Sequence, residues 1–492
     1  MPVSPALAKA LTALGIGTLI LALPAPDGLS ATGQRALAVG AVSVVLWATE
    51  ALPTAVTSLL VVVLLVLAGA APKASAALFG FSQPVGYFVI GTLGLGTAVF
   101  RSGLAARLAG FALRGADGSA VRLYTQLLVV TMPLALVLPS AITRNAVLMP
   151  AYLETFRRLG YQPGAPLPRA ITLQLAAINP AASSALLTGG VAPVVVAGLV
   201  GGFTWLGWFA MLALPYYAVI LLGGAVTYLL VRPPLRLPDH AASPFLHGDE
   251  SDYAPAPRSG APTKPPLEAT SSAATITSKP LVAAELKTLL VLAGVSALWL
   301  LDFLHGWHPA VPALFGLVAL VAPGIGVITW ADLEDSSPWP LFLLLGASLS
   351  LAEALRASGA STWLASLLAG AVAPTDPLPV VVAKLVLLAT AFGVLLPNRA
   401  GALSVLVPIV MSYAGQHGLR PEILAFVVLM AVDVSIFYPA QSPTSMLAYQ
   451  GRFYRPVDLL FVGLALVVIL EVVLLTIALP YWNVIGATSP LR

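Results

Sequence analysis

Two arginines stand where charge is costly. The first lies in Leu138-Pro-Ser140-Ala-Ile-Thr143-Arg144-Asn145 and the second in Leu396-Pro-Asn398-Arg399-Ala-Gly-Ala-Leu-Ser404. Each segment interrupts the centre of a long apolar block. An arginine at bilayer depth costs about 2.5–3.5 kcal/mol on insertion scales, so it pairs with an acid or faces a cavity. A guanidinium also offers a planar fork of donors that fits carboxylate or sulfate. Ser140, Thr143, Asn145, Asn398 and Ser404 add neutral donors, and helix N-termini at such breaks add backbone amides. Two such tips together suit a small dianion. The competing reading for each arginine is a structural ion pair.

Two further apolar blocks are interrupted, at Thr188-Gly189-Gly190 and at Gln441-Ser442-Pro443-Thr444. Gly and Pro there either free backbone groups for an ion or substrate, or mark a kink relieved by neighbouring helices. Asp433, inside the apolar run from Ala425 to Phe437, is a candidate salt-bridge partner for Arg399 or Arg144, a proton- or cation-coupling carboxylate, or a structural residue. Glu50, beside Pro53, reads as part of a turn.

The elements that position these residues follow from composition. Of the 492 residues 59% are hydrophobic and 9% are Asp, Glu, Lys or Arg, against about 25% charged in soluble domains. A soluble enzyme, a nucleic-acid binder and a disordered chain are excluded. A spanning helix needs about 20 apolar residues. The expected fold is therefore an all-α polytopic membrane protein of about 11 transmembrane helices plus two re-entrant helical hairpins. Each tip-bearing block, about 123–155 and about 380–412, is longer than one crossing needs, so a hairpin with its tip at membrane depth fits better. The net charge of +4 is too small to name a soluble partner, and no nucleic acid is expected. With no cysteine, disulfides and thiolate metal sites are ruled out.

Residues 1–30 read as a retained first transmembrane helix, although a cleaved leader has a similar shape. Residues 31–231 and 288–492 read as two repeats, joined by a Pro-, Ala- and Ser-rich flexible linker at 232–287. Pro139 and Pro150 of the first repeat recur as Pro397 and Pro408 of the second, each 258 residues on. Arg101-Ser-Gly103 is echoed by Arg356-Ala-Ser-Gly359, and Thr188–Pro193 by Tyr438–Pro443. Arg101, Arg107, Arg114, Arg122, Arg157, Arg158 and Arg169 crowd loops whose second-half counterparts hold only Arg356, Lys384 and Arg420. Arg452 and Arg455 follow a block whose counterpart, Gly201 to Trp208, is uncharged. Basic loops favour the cytoplasm. Equivalent loops therefore lie on opposite sides and the repeats are inverted, as in secondary transporters with a midplane site. The N-terminus and the linker are placed in the cytoplasm and the chain in the cell (inner) membrane.

Catalytic patterns are missing. His240, His247, His305, His308 and His417 lie in or beside loops, and neither a Gly-x-Ser-x-Gly elbow nor a phosphate-binding loop occurs. No enzyme activity, metal site or cofactor is expected.

At these motifs the chain resembles the divalent anion/sodium symporter (INDY-like) family of dicarboxylate transporters, from about Trp47 to Tyr449. Trp47-Ala-Thr-Glu-Ala-Leu-Pro53 looks like that family's Trp-x-Thr-Glu-Ala-x-Pro opening. Ser140 with Pro150, and Asn398 with Pro408, keep the spacing of its paired Ser-Asn-Thr hairpins. Thr188 to Pro193 and Gln441 to Thr444 resemble its later helix breaks. The resemblance implies a homodimer with scaffold and transport domains, an elevator mechanism, and a small anion held near Ser140, Asn398 and the breaks Thr188-Gly189 and Ser442-Pro443-Thr444. The family's Asn positions are Ala141 and Arg399 here and its Thr positions Ile142 and Ala400. Arg144 lies four residues after Ser140, where exchanger-like members also look to carry an arginine. A guanidinium repels sodium and can stand in for its charge. The expected activity is thus exchange of a dianion, or its coupling to protons, with Arg144 and Arg399 binding it. Alternatives are a sodium-coupled dicarboxylate or sulfate symporter, a cation/proton antiporter using Asp433, and a membrane-embedded enzyme or receptor.

Overall fold

The computed structural model describes residues 5–113, 118–138, 140–238, 281–335, 339–395 and 398–485. Pro139, Leu396 and Pro397 of the tip motifs, Arg114, His240, His247 and linker residues 239–280 lie outside them. Among the described residues the chain is helical throughout, with no strand. Eight helices are long and apolar enough to cross a membrane: Pro5–Ala22, Ala31–Thr49, Pro84–Arg101, Ala120–Val137, Trp205–Val231, Ala283–Leu300, Trp339–Ala357 and Pro456–Val484. Five shorter apolar helices of 10–17 residues accompany them: Thr54–Leu67, Val191–Val200, Ala310–Val321, Ala360–Ala371 and Leu378–Val394. Proline and glycine breaks divide several apolar blocks into pieces too short to cross alone, such as Val191–Val200 and Ala310–Val321.

The Trp47–Pro53 motif joins two helices. Ala31–Thr49 ends on Glu50 in the left-handed conformation (φ 48°), and Thr54–Leu67 starts directly after Pro53. The echoed Arg-and-Gly motifs also share a local geometry. Arg101 and Arg356 sit in the last turns of two spans, and Gly103 and Gly359 follow with φ of 88° and 78°. Glycine suits those turns because it has no Cβ to clash there. A short helix follows each, Leu104–Leu113 and Ala360–Ala371, and each is tied to a peripheral span or its loop. Arg107 grips Glu285 of Ala283–Leu300 with Nε at 3.1 Å and Nη2 at 2.8 Å. Ser30 donates to the Ser358 carbonyl at 2.9 Å, and the Trp363 indole to that of Asp27 at 3.2 Å.

Both tip-bearing blocks form helix pairs. The first is Ala120–Val137 and Ala141–Arg158, the second Leu378–Leu395 and Arg399–Gln416. All four helices have 18 residues, and every boundary of the first pair recurs 258 positions later. The same cap type starts the second helix of each pair. The Ser140 hydroxyl accepts from the Thr143 amide at 3.3 Å, and the Asn398 carboxamide oxygen from the Gly401 amide at 3.2 Å. Such caps satisfy amides that the first turn leaves open.

The core gathers around the two later breaks. Ile423 through Val434 are all buried, as are Ala170 through Gly189. Trp205–Val231 and Pro456–Val473 close over them at small residues. A Cβ on Gly463 would stand 2.2 Å from the Ile436 carbonyl oxygen, and one on Gly223 2.5 Å from Leu466.

Candidate functional site

The first tip is built around Arg144, which is fully buried. Its guanidinium donates to four neutral oxygens. Nε reaches Asn179 Oδ1 at 2.7 Å, Nη1 the Leu138 carbonyl at 2.9 Å, and Nη2 the Asn179 carbonyl at 2.9 Å and Ser183 Oγ at 2.7 Å. Among the described residues no carboxylate pairs with it. A buried cation is tolerated only when its donors are satisfied, and Arg144 meets that condition by tying the tip to the next helix. Ser140, beside it, is spent as the helix cap, and Thr143 supplies the capped amide.

Asn145 joins the two halves of the chain. Its amide donates to the carbonyls of Leu175 and Thr444, both at 3.0 Å, and its oxygen accepts from Asn179 Nδ2 at 2.8 Å. The Leu175 carbonyl is open because residues 174–178 form a π turn, whose wider spacing leaves groups unpaired within the helix. Ser445 Oγ donates to the neighbouring Ala176 carbonyl at 3.1 Å. Gly189 explains the first break. A Cβ there would stand 1.9 Å from the Ser183 carbonyl oxygen, so the Thr188–Gly189 backbone presses on the residue that holds Arg144. Thr188 itself is buried and meets the Trp205 indole at 3.4 Å.

The second tip repeats the backbone but not the chemistry. The Arg399 side chain is 23% exposed, and its Nη1 lies 3.9 Å from Asp433 Oδ1, an ion pair without a hydrogen bond. Its Nη2 is buried and has no hydrogen-bond partner among the described residues. The other oxygen of Asp433 accepts from the Tyr216 hydroxyl at 2.8 Å, and the Ser184 side chain lies beside the carboxylate. Of the two partners open to Asp433, the structure brings it to Arg399. Ser183 and Ser184 are adjacent, so the turn of Asn179–Ser184 that holds Arg144 through Ser183 also brings Ser184 beside Asp433.

Ser404 is turned into its own helix, donating to the Ala400 carbonyl at 2.6 Å. Ser442 caps Pro443–Tyr449 by accepting from the Ser445 amide at 3.2 Å; Pro443 is exposed at the first position and Thr444 is buried. Gln441 holds the second break together. It accepts from the Phe437 amide at 2.7 Å and donates to the carbonyls of Ser435 at 2.6 Å and Gly393 at 3.2 Å. Trp47 packs over the tip, so a Cβ on Gly401 would lie 3.1 Å from its ring.

Sequence reasoning did not single out Asn179, Ser183, Ser184 or Tyr216. The available signals were Asn179-Pro180 and Pro215-Tyr216, polar residues beside prolines in apolar runs. It also passed over Glu471, an acid in the apolar helix Pro456–Val473 whose Oε1 is buried without a partner among the described residues. No group of three or more His, Cys, Asp or Glu able to hold a metal occurs among the described residues.

The family model for the transmembrane region of sodium:sulfate symporters matches residues 5–488. A membrane protein of Cupriavidus necator is 25% identical across 95% of this chain and 91% of its own length. Shorter matches reach two human proteins. Na(+)/dicarboxylate cotransporter 3 is 23% identical over 38% of this chain and 31% of that protein. Solute carrier family 13 member 4 is 24% identical over 32% of this chain and 25% of that protein. The chain thus spans a third or less of those human relatives. Among solved structures, the YdaH transporter of Alcanivorax borkumensis aligns over 99% of this chain and 98% of its own, with a TM-score of 0.54 and 17% identity.

Proposed function

The chain belongs to the sodium:sulfate symporter family, and from that premise we propose that it carries a small dianion, a dicarboxylate or sulfate, between its two helix tips. As a member it is a multi-pass membrane transporter and not an enzyme. The observation that carries the substrate proposal is Arg399, a tip guanidinium with one buried nitrogen left without a partner. Fork-shaped donors of this kind match a carboxylate or sulfate oxygen pair. Arg144 supplies a second positive charge, fixed by neutral ligands, while Asn398 and the amides at the start of Arg399–Gln416 line the same tip. Ser140, Thr143, Asn145, Thr188, Gly189, Ser404, Ser442, Pro443 and Thr444 shape the tips and breaks around it, and Asp433 takes the coupling role.

Transport runs by an elevator movement in this reading. Residues 31–231 and 288–492 are inverted repeats around re-entrant tips, in a homodimer of the inner membrane with the N-terminus and the 232–287 linker cytoplasmic. The matching helix boundaries, 258 residues apart, support the duplication. Two guanidiniums at the tips favour exchange or proton coupling over sodium. Sodium-coupled symport is the second reading, and what favours it is the name of the human relative, a sodium/dicarboxylate cotransporter.

A thermal-shift screen of succinate, malate, citrate and sulfate, with and without sodium, tests the substrate class. A true ligand at 100 times its Kd stabilises by about 2.7 kcal/mol. The proposal expects that gain from a dianion without sodium. A gain only in sodium favours the symporter reading, and no gain from any dianion contradicts the substrate class.

A further inference from the structure

The two tips do not carry equal charge. Arg144 is held by neutral oxygens alone, while Arg399 faces Asp433 at 3.9 Å. In the dianion reading the site then counts two guanidiniums and one carboxylate. The pair at Arg399 is loose, since no hydrogen bond joins it, whereas Asp433 is kept in place by the Tyr216 hydroxyl at 2.8 Å. Asp433 is anchored by a neutral donor and needs no bond from the arginine to stay where it is.

A dianion arriving at Arg399 meets this fixed carboxylate as a rival. A like charge within about 5 Å weakens binding by about a hundredfold at the effective dielectric of protein sites. With Asp433 ionised, dianion and site sum to a net negative charge, which a buried site disfavours. With Asp433 protonated, two guanidiniums and a dianion are neutral together. Resting on the dianion reading above, we infer that Asp433 is a tethered stand-in for one substrate carboxylate, so that a dianion binds together with one proton delivered to Asp433. The proton comes from water and sits on a carboxylate oxygen; the Tyr216 hydroxyl, which donates to the ionised form, can turn to accept from it.

The charged and titratable groups around Asp433 fit a single titrating site. Arg399 faces it from Arg399–Gln416 and Tyr216 from Trp205–Val231. Of the other elements packed on Pro421–Val434, Leu378–Leu395 carries Lys384, which is bound to Asp376. Pro456–Val473 carries Asp458, bound to Arg455, and Glu471. Asn179–Ser184 and Val191–Val200 carry none, and Tyr413, farther along the tip helix, donates to the Val372 carbonyl.

Calorimetric titration of the detergent-solubilised full chain with sulfate and with succinate, in buffers of different ionisation enthalpy, counts protons taken up per anion. Sulfate remains a dianion between about pH 5 and pH 8, so its count is free of substrate titration. The wild type is expected to take up close to one proton per sulfate, with affinity falling about tenfold per pH unit once Asp433 ionises. Asp433→Asn is expected to bind sulfate with no proton uptake and a flat pH profile. Tyr216→Phe, which keeps the carboxylate but removes a donor to its ionised form, should retain the one-proton count. Its binding should persist to higher pH by about 1–2 units. Proton uptake that survives in Asp433→Asn, or a wild-type count of zero throughout, overturns the inference. Failure of the wild type to bind either anion instead overturns the dianion reading beneath it. If Asp433→Asn does not fold, a Tyr216→Phe profile that coincides with wild type overturns the inference.

Discussion

At the residue scale the two arginines look alike in sequence and differ in what they hold. Arg144 donates four hydrogen bonds to Asn179, Ser183 and Leu138; Arg399 makes none among the described residues. Their substitutions should therefore separate. Arg144→Ala leaves several buried oxygens without donors and is expected to cost about 3–5 kcal/mol of stability. Arg399→Ala should abolish anion uptake while shifting stability by no more than about 1–2 kcal/mol. Thermal unfolding of both variants, with uptake measured in parallel, checks the contrast; equal destabilisation would place Arg399 in a structural pair. Both arginines were legible in the sequence, because misplaced charges are local signals; Ser140 and Asn398 were read as substrate donors, and the structure uses them as helix caps. Asn179, Ser183 and Tyr216 were not. They meet Arg144 and Asp433 across 35, 39 and 217 residues, and no local pattern carries such contacts.

At the element scale the site depends on helices that stop in the right places. Gly189 lets the first break fold onto Ser183, so Gly189→Ala must displace backbone rather than a flexible side chain. An expected loss of about 1–3 kcal/mol, as for other overpacked positions, should come with impaired uptake; an unchanged melting temperature would show that the break has room. The sequence showed each break through its Gly, Pro and polar residues. It did not show the π turn at 174–178, which opens the Leu175 and Ala176 carbonyls to Asn145 and Ser445. A π turn has no composition of its own and arises from what its neighbours bond. Asn145 is the link between first tip and second break. Asn145→Leu should uncouple them, costing about 2–4 kcal/mol through the unpaired Leu175, Thr444 and Asn179 groups, read by chemical or thermal unfolding.

At the scale of the whole molecule, the scarcity of charge placed the chain in lipid, and the positions of the few buried charges are what the proposed site is built on. The all-helical class followed from the apolar blocks. The points at which blocks break into shorter helices, such as Val191–Val200, depend on local backbone geometry that block length does not carry. The family was legible from the paired tips and the Trp47–Pro53 turn, and it accounts for nearly the full chain. Its departures from the usual tip residues, Arg399 above all, bear on what drives transport. In the proposed reading, two guanidiniums and one carboxylate at the tips serve a dianion that travels with a proton. The most direct test is accumulation of labelled sulfate or succinate in proteoliposomes holding the full chain, with equal sodium on both sides and an acid exterior. The account predicts uphill accumulation driven by the pH gradient and lost in Asp433→Asn. Accumulation that ignores the pH gradient and follows a sodium gradient alone would contradict it.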